Sequence, residues 1–143
     1  MTVRKSLALH ATLLGAATSI AIGAVTGSLT FNLLVRVALG SGVPFSEAYA
    51  AVPTMVGYSA FVACLAFVAN FGAGYVAAML SGRAAYLHAT VAGSLVLVYS
   101  ALLYLTPVSE VKLDPFTFIL YFLVPIPAAL VGAHYQSRGV PGG

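Results

Sequence analysis

The chain has 143 residues, of which 61% are hydrophobic and 6% charged, with mean hydropathy +1.02 and net charge +3. Soluble domains carry about 25% charged residues, so six Lys and Arg with three Asp and Glu cannot solvate a 14.6 kDa globule. These figures exclude a soluble domain, a disordered segment and, because the basic residues are scattered, a nucleic-acid partner. A single cysteine, Cys64, excludes an internal disulfide and a Cys-rich metal site; it reads as a small buried hydrophobe. What remains is an all-α integral membrane protein.

Crossing about 30 Å of hydrocarbon takes about 20 apolar residues. The first apolar run, Leu7 to Val35, lies between Arg4-Lys5 and Arg36 and predicts a span over 11–34. It is too long for the apolar core of a secretory signal, about 7–15 residues, and reads as an uncleaved span. The next run, Ala48 to Leu80, is about 50 Å long as a helix, too long for one upright crossing and too short for two. Phe45, Ala48, Tyr49 and Val52 recur at helical spacing at its beginning. They predict a short interfacial helix over 44–53, a bend near Pro53 and a span over 57–80, with one long tilted helix as the alternative. A third span follows over 85–105, ended by Thr106-Pro107, and a fourth over 116–134, between Asp114-Pro115 and a polar tail. Residues 1–143 therefore read as a single membrane domain, a compact bundle of four transmembrane helices with short loops.

Orientation follows from Lys and Arg in short loops. Arg4, Lys5, Arg83 and Arg138 fall on one side, whereas Arg36 and Lys112 share the other with Glu47, Glu110 and Asp114. Both termini are expected in the cytoplasm. With no Trp in the chain, anchoring at the interfaces falls to Tyr49 and Tyr104 outside and to Tyr86 and Tyr135 inside.

In lipid, small residues every four positions let helix backbones approach closely. The first span carries such a stripe at Ala11, Gly15, Ser19, Gly23 and Gly27, and the second at Ala66, Asn70, Gly74, Ala78 and Gly82. Gly93 in the third span and Gly132 in the fourth extend the pattern. All are expected at helix contacts, more within the chain than between chains. No Asp, Glu, Lys or Arg falls at mid-span, which argues against a proton-coupled pump. Asn70 is the most buried strongly polar side chain and is expected to bond a neighbouring helix or carbonyl. Asn32 and Asn70 are the candidate polar contacts. His10, His88 and His134 fall at similar depth on three helices and are the candidate cofactor contacts. Each is one or two residues off a small-residue stripe, so they are not expected to converge, and no metal or cofactor is assigned. No nucleophile–base set, carboxylate pair or phosphate loop supports an enzyme.

The segment Gly72-Ala73-Gly74-Tyr75-Val76-Ala77-Ala78, followed by Gly82-Arg83, Leu87-His88-Ala89 and Gly93, resembles a family of small bacterial four-span membrane proteins. That family has a Gly-Gly-Tyr-Val-Ala-Ala helix end, a basic turn and a Leu-His-Gly helix start. Ala73 and Ala89 replace glycines of its pattern. The resemblance implies a close-packed helical hairpin and a bacterial inner-membrane location, and no chemistry. A second stretch, Gly27 to Leu34, resembles a short piece of the bacterial fluoride channels, but the Thr- and Phe-rich motif of their third span has no counterpart in this sequence.

The leading expectation is a non-enzymatic, multi-pass inner-membrane protein, a structural or accessory subunit whose partners are the bilayer and itself or other membrane subunits. The alternative is a small oligomeric channel or transporter for a small solute, built around Asn70 and the hydroxyls of the first span. A third reading is a subunit binding haem, quinone or metal.

Overall fold

A computed structural model describes residues 2–55, 57–81, 84–105, 119 and 122–139. Every regular element among them is helical: α1 Thr2–Gly40, α2 Phe45–Ala51, α3 Tyr58–Ser81, α4 Ala85–Leu105 and α5 Pro125–Gly139, with a 3-10 turn at Val52–Thr54. Three stretches, Leu9–Gly40, Tyr58–Ser81 and Ala85–Leu102, are long and apolar enough to cross a membrane. The 15 residues of α5 are fewer than a crossing needs, and the beginning of the span expected over 116–134 lies outside the described residues. So do Gly82 and Arg83 and the loop bearing Glu110, Lys112 and Asp114.

α1 has 39 residues, about 58 Å of helix, and overruns the expected 11–34 at both ends. No proline interrupts the chain before Pro44, and nothing between Thr2 and Gly40 forces the backbone out of its ladder. The turn that follows depends on Gly42, whose φ of +82° is a left-handed value that a Cβ disfavours. Gly57, at φ +87°, performs the same service at the entry to α3. Between these glycines, α2 and the 3-10 turn fold back on the end of α1. Val35, Ala48 and Val52 are buried there against Phe31, Leu34 and Met55.

α3 packs on α1, α4 and α5, and α4 also touches α1 and α5; among the described residues α1 and α5 do not meet. The four long helices thus form a rhombus with α3 and α4 on its short diagonal. Its interior is built from small side chains. Ala11, Ala16, Ala69, Ala73, Ala77, Ala89, Ala92, Ala128, Ala129 and Ala133 are all buried. Val52, outside the four-helix contact, is the one large side chain fully buried among the described residues. The large apolar residues point outward, including Leu29 (67% exposed), Val68, Leu102, Leu105 (76%) and Leu123 (66%). Cys64 also faces outward on α3. Its expected burial fails because the inner positions of that helix go to Ala and Gly.

The helices do not stay equally close along their length. A Cβ on Gly15 would stand 2.6 Å from the Ala73 carbonyl oxygen and 2.9 Å from the Ala77 methyl. On Gly74 it would run into the backbone of Ala129, and on Gly132 into the Phe71 carbonyl. On Gly93 it would meet Pro125 O at 3.0 Å. These contacts close the half of the bundle nearer the two termini, where Ala78, Ala85, Ala89, Ala129 and Ala133 form one apolar cluster.

Gly23 departs from the expected packing role. A Cβ built there meets nothing within 4 Å, and at Gly27 only Leu65 Cδ2 at 3.7 Å. The stripe on α1 therefore has two halves, one at a helix contact and one facing open space.

Candidate functional site

Ser19 on α1 and Asn70 on α3 sit where close contact ends and the helices part. Both are buried. A polar side chain among apolar helices must find a partner, because leaving one unmade costs a few kcal/mol. The Ser19 hydroxyl donates to Asn70 Oδ1 at 3.3 Å, and the Asn70 amide donates to the Ala66 carbonyl, one turn back, at 2.7 Å. Asn70 thus holds both its own helix and its neighbour, as the sequence suggested for a lone amide on a small-residue stripe.

On the α2 side of this pair the rhombus opens into a cavity of about 660 Å³. Its room comes from Gly23, Ala24 and Gly27 on α1, facing Leu65, Ala66 and Ala69 on α3. Val96, Tyr99 and Ser100 of α4, Phe122 just before α5 and Pro125 at its first position also line it. Phe31, Tyr49 and Tyr58 gather at the far end. The Phe31 and Tyr49 rings stand edge to face with centroids 4.8 Å apart, and Phe31 and Tyr58 at 6.5 Å. Edge-to-face pairs at these distances hold their rings in place, so rings from α1, α2 and α3 form an aromatic cluster at that end of the cavity. Asn32 also borders it, its amide donating to the Ser28 carbonyl at 2.7 Å, a bond within its own helix.

The histidines belong to different contacts. His88 is half-buried with Nδ1 2.8 Å from the Thr12 hydroxyl of α1. His134 is exposed with Nδ1 2.8 Å from the Tyr86 hydroxyl, which links α4 to α5. His10 is exposed. Among the described residues no three of His, Cys, Asp and Glu stand close enough to hold a metal ion. Each of these two imidazoles ties two helices together.

Reasoning from the sequence placed Ser19 and Asn70 on small-residue stripes and gave Asn70 and Asn32 as candidate polar contacts, without expecting a cavity; all three border it. It missed the aromatic residues. The available signal was the continuation of the four-residue period on α1 from Gly23 and Gly27 to Phe31, where a stripe of small residues ends in a ring. The described lining carries no charged side chain; it offers apolar and aromatic surface with a few hydroxyl and amide groups.

No family model, curated protein or solved structure matches this chain.

Proposed function

We propose that the chain is a non-enzymatic, multi-pass protein of the bacterial inner membrane, a structural or accessory subunit of a membrane assembly. In this reading α1, α3, α4 and the helix ending in α5 make four crossings, and both termini lie in the cytoplasm. The observation that carries it is the inverted size pattern: alanine and glycine inside, leucine, valine, phenylalanine and tyrosine outside. A soluble fold does the reverse, because burying large apolar groups is its chief driving force. In lipid that force between helices disappears, and close backbone approach takes its place. The same outer faces suit lipid chains or the helices of a partner. Tyr49 at one end and Tyr86 and Tyr135 at the other are exposed where interfacial anchors belong. A solute channel draws less support, because the described lining of the cavity stops at Ser19 and Asn70 with the Gly15–Ala73 contact beneath.

Reporter fusions after Gly40, Arg83, Glu110 and Gly143, with mass spectrometry of proteins that co-purify in mild detergent, test this reading. The expected pattern alternates outside and inside, ending inside, with stoichiometric membrane partners or a homo-oligomer recovered. An outside signal at Arg83, or a monomer with no partner in native membranes, overturns it.

A further inference from the structure

We propose that the cavity above Ser19 and Asn70 binds an uncharged lipid carrying a flat ring with carbonyl oxygens, the chemistry of an isoprenoid quinone. This rests on the membrane placement of the bundle and adds a ligand to it.

Four observations converge on that class. The described lining includes no Asp, Glu, Lys, Arg or His, so an ionic ligand would lose its hydration with no counter-charge from these residues. Depth limits the route of entry. Asn70 is twelve residues into α3 from Tyr58, about 18 Å along the helix, with eleven more residues to Ser81. A floor midway along the bundle is reached most directly by a molecule already dissolved in the bilayer. The walls supply rings at Phe31, Tyr49, Tyr58, Phe61, Tyr99 and Phe122, and aromatic side chains favour stacked or edge-on contact with another ring.

The floor supplies a donor. A carboxamide carries two N–H groups, and the Asn70 bond to Ala66 uses one of them. A ring carbonyl is a fitting acceptor for the second. The alkyl part of a phospholipid chain has no acceptor for that bond, and its charged headgroup finds no counter-charge among the described lining residues. A volume of about 660 Å³ lies within the range of about 300–1,000 Å³ typical of small-molecule sites. It holds a ring and the first units of a tail, with the rest left among the lipids.

Gly23 is independent support. Glycine inside a helix costs about 0.5–1 kcal/mol against alanine, and glycines at 15, 74 and 132 offset this by allowing backbone contact. Gly23 permits no such contact, since nothing lies within 4 Å of a Cβ built there. What its missing side chain preserves is room in the cavity.

The test uses the full chain in lipid nanodiscs and coenzyme Q1, a one-isoprene quinone, as the probe. The chain has eight Tyr and no Trp, so quenching of tyrosine emission reads binding near Tyr49, Tyr58 and Tyr99. The expected result is saturable quenching, with the affinity falling about tenfold or more in Gly23→Leu, whose side chain overfills the site. The ligand-free melting temperature of that variant should stay at the wild-type value, and the outward-facing Leu33→Ala should bind like wild type. Should Gly23→Leu fail to fold, Ser100→Leu fills the cavity from α4 and carries the same expectation. Quenching that never saturates, equal affinity in the filled variants, or a cavity holding phospholipid that Q1 does not displace overturns the proposal. Vesicle flotation separates the two readings: protein that floats without binding Q1 refutes only the ligand site, whereas protein that does not float refutes the membrane placement as well.

Discussion

Glycines that look alike along the chain divide sharply by what surrounds them. Gly74 and Gly132 lie against the backbone of a neighbouring helix, where no side chain can move aside. Gly74→Ala and Gly132→Ala should each cost about 1–3 kcal/mol, and the leucine variants should fail to assemble, as thermal melting in mild detergent will show. Gly23→Ala should instead hold or raise the melting temperature, because its methyl enters open space and alanine favours the helix by about 1 kcal/mol. Gly42 belongs to a third kind. Its left-handed φ makes Gly42→Ala destabilising by about 1–2 kcal/mol although nothing lies near the added methyl. A stripe written in one letter thus contains a contact, a cavity wall and, beyond the helix, a turn.

Among the elements, α2 depends most on packing. Seven residues are far below the length at which a helix is stable alone. Pro44, the N-cap residue before it, makes no side-chain capping bond. What retains it is the burial of Ala48 and Val52 against Val35 and the edge-to-face ring pair of Tyr49 with Phe31. Val52→Ala removes the one large, fully buried side chain among the described residues and should cost about 1–3 kcal/mol. Cysteine placed at Ala48, buried in the wild type, should then react faster with a thiol reagent. An unchanged labelling rate would mean that other contacts hold the segment. α5 begins in the opposite manner. Pro125 stands at the first position, where its missing N–H is no loss, and Ala128 N bonds the Val124 carbonyl at 3.0 Å to begin the ladder.

For the whole molecule, the outward placement of large apolar side chains makes a prediction about solvent. If the outer faces meet lipid, Leu29→Asp and Val98→Asp should impair insertion, each costing about 2.5–3.5 kcal/mol near a span centre. Changes to another apolar residue at those positions should be silent. The measurement is the fraction of protein resistant to carbonate extraction. Equal recovery of the aspartate variants would show that these faces are covered by something other than hydrocarbon. The histidines give a complementary test at the end of the bundle nearer the termini. His88→Gln keeps a hydrogen-bonding group for Thr12 and should melt close to wild type. His88→Leu leaves the Thr12 contact unmade and should lose about 1 kcal/mol or more.

The sequence by itself determined that the chain is helical and apolar along most of its length. Too few charges exist to solvate it, and long runs without proline leave the backbone no alternative in an apolar medium but the internal bonds of a helix. It also announced, through small residues four apart, that helices would touch closely, and through Asn70 that one of those seams would carry a hydrogen bond. It could not say which glycine meets backbone and which meets open space. Gly15 and Gly23 belong to one four-residue stripe of α1, and their neighbours differ: Ala73 and Ala77 at one, open space at the other. The cavity is likewise a tertiary property. Phe31, Tyr58, Tyr99 and Phe122 are ordinary aromatic residues of four separate segments. They line one site because Ala and Gly draw the bundle tight below Ser19 and Asn70, and above that pair α1, α3 and α4 leave a cavity between them.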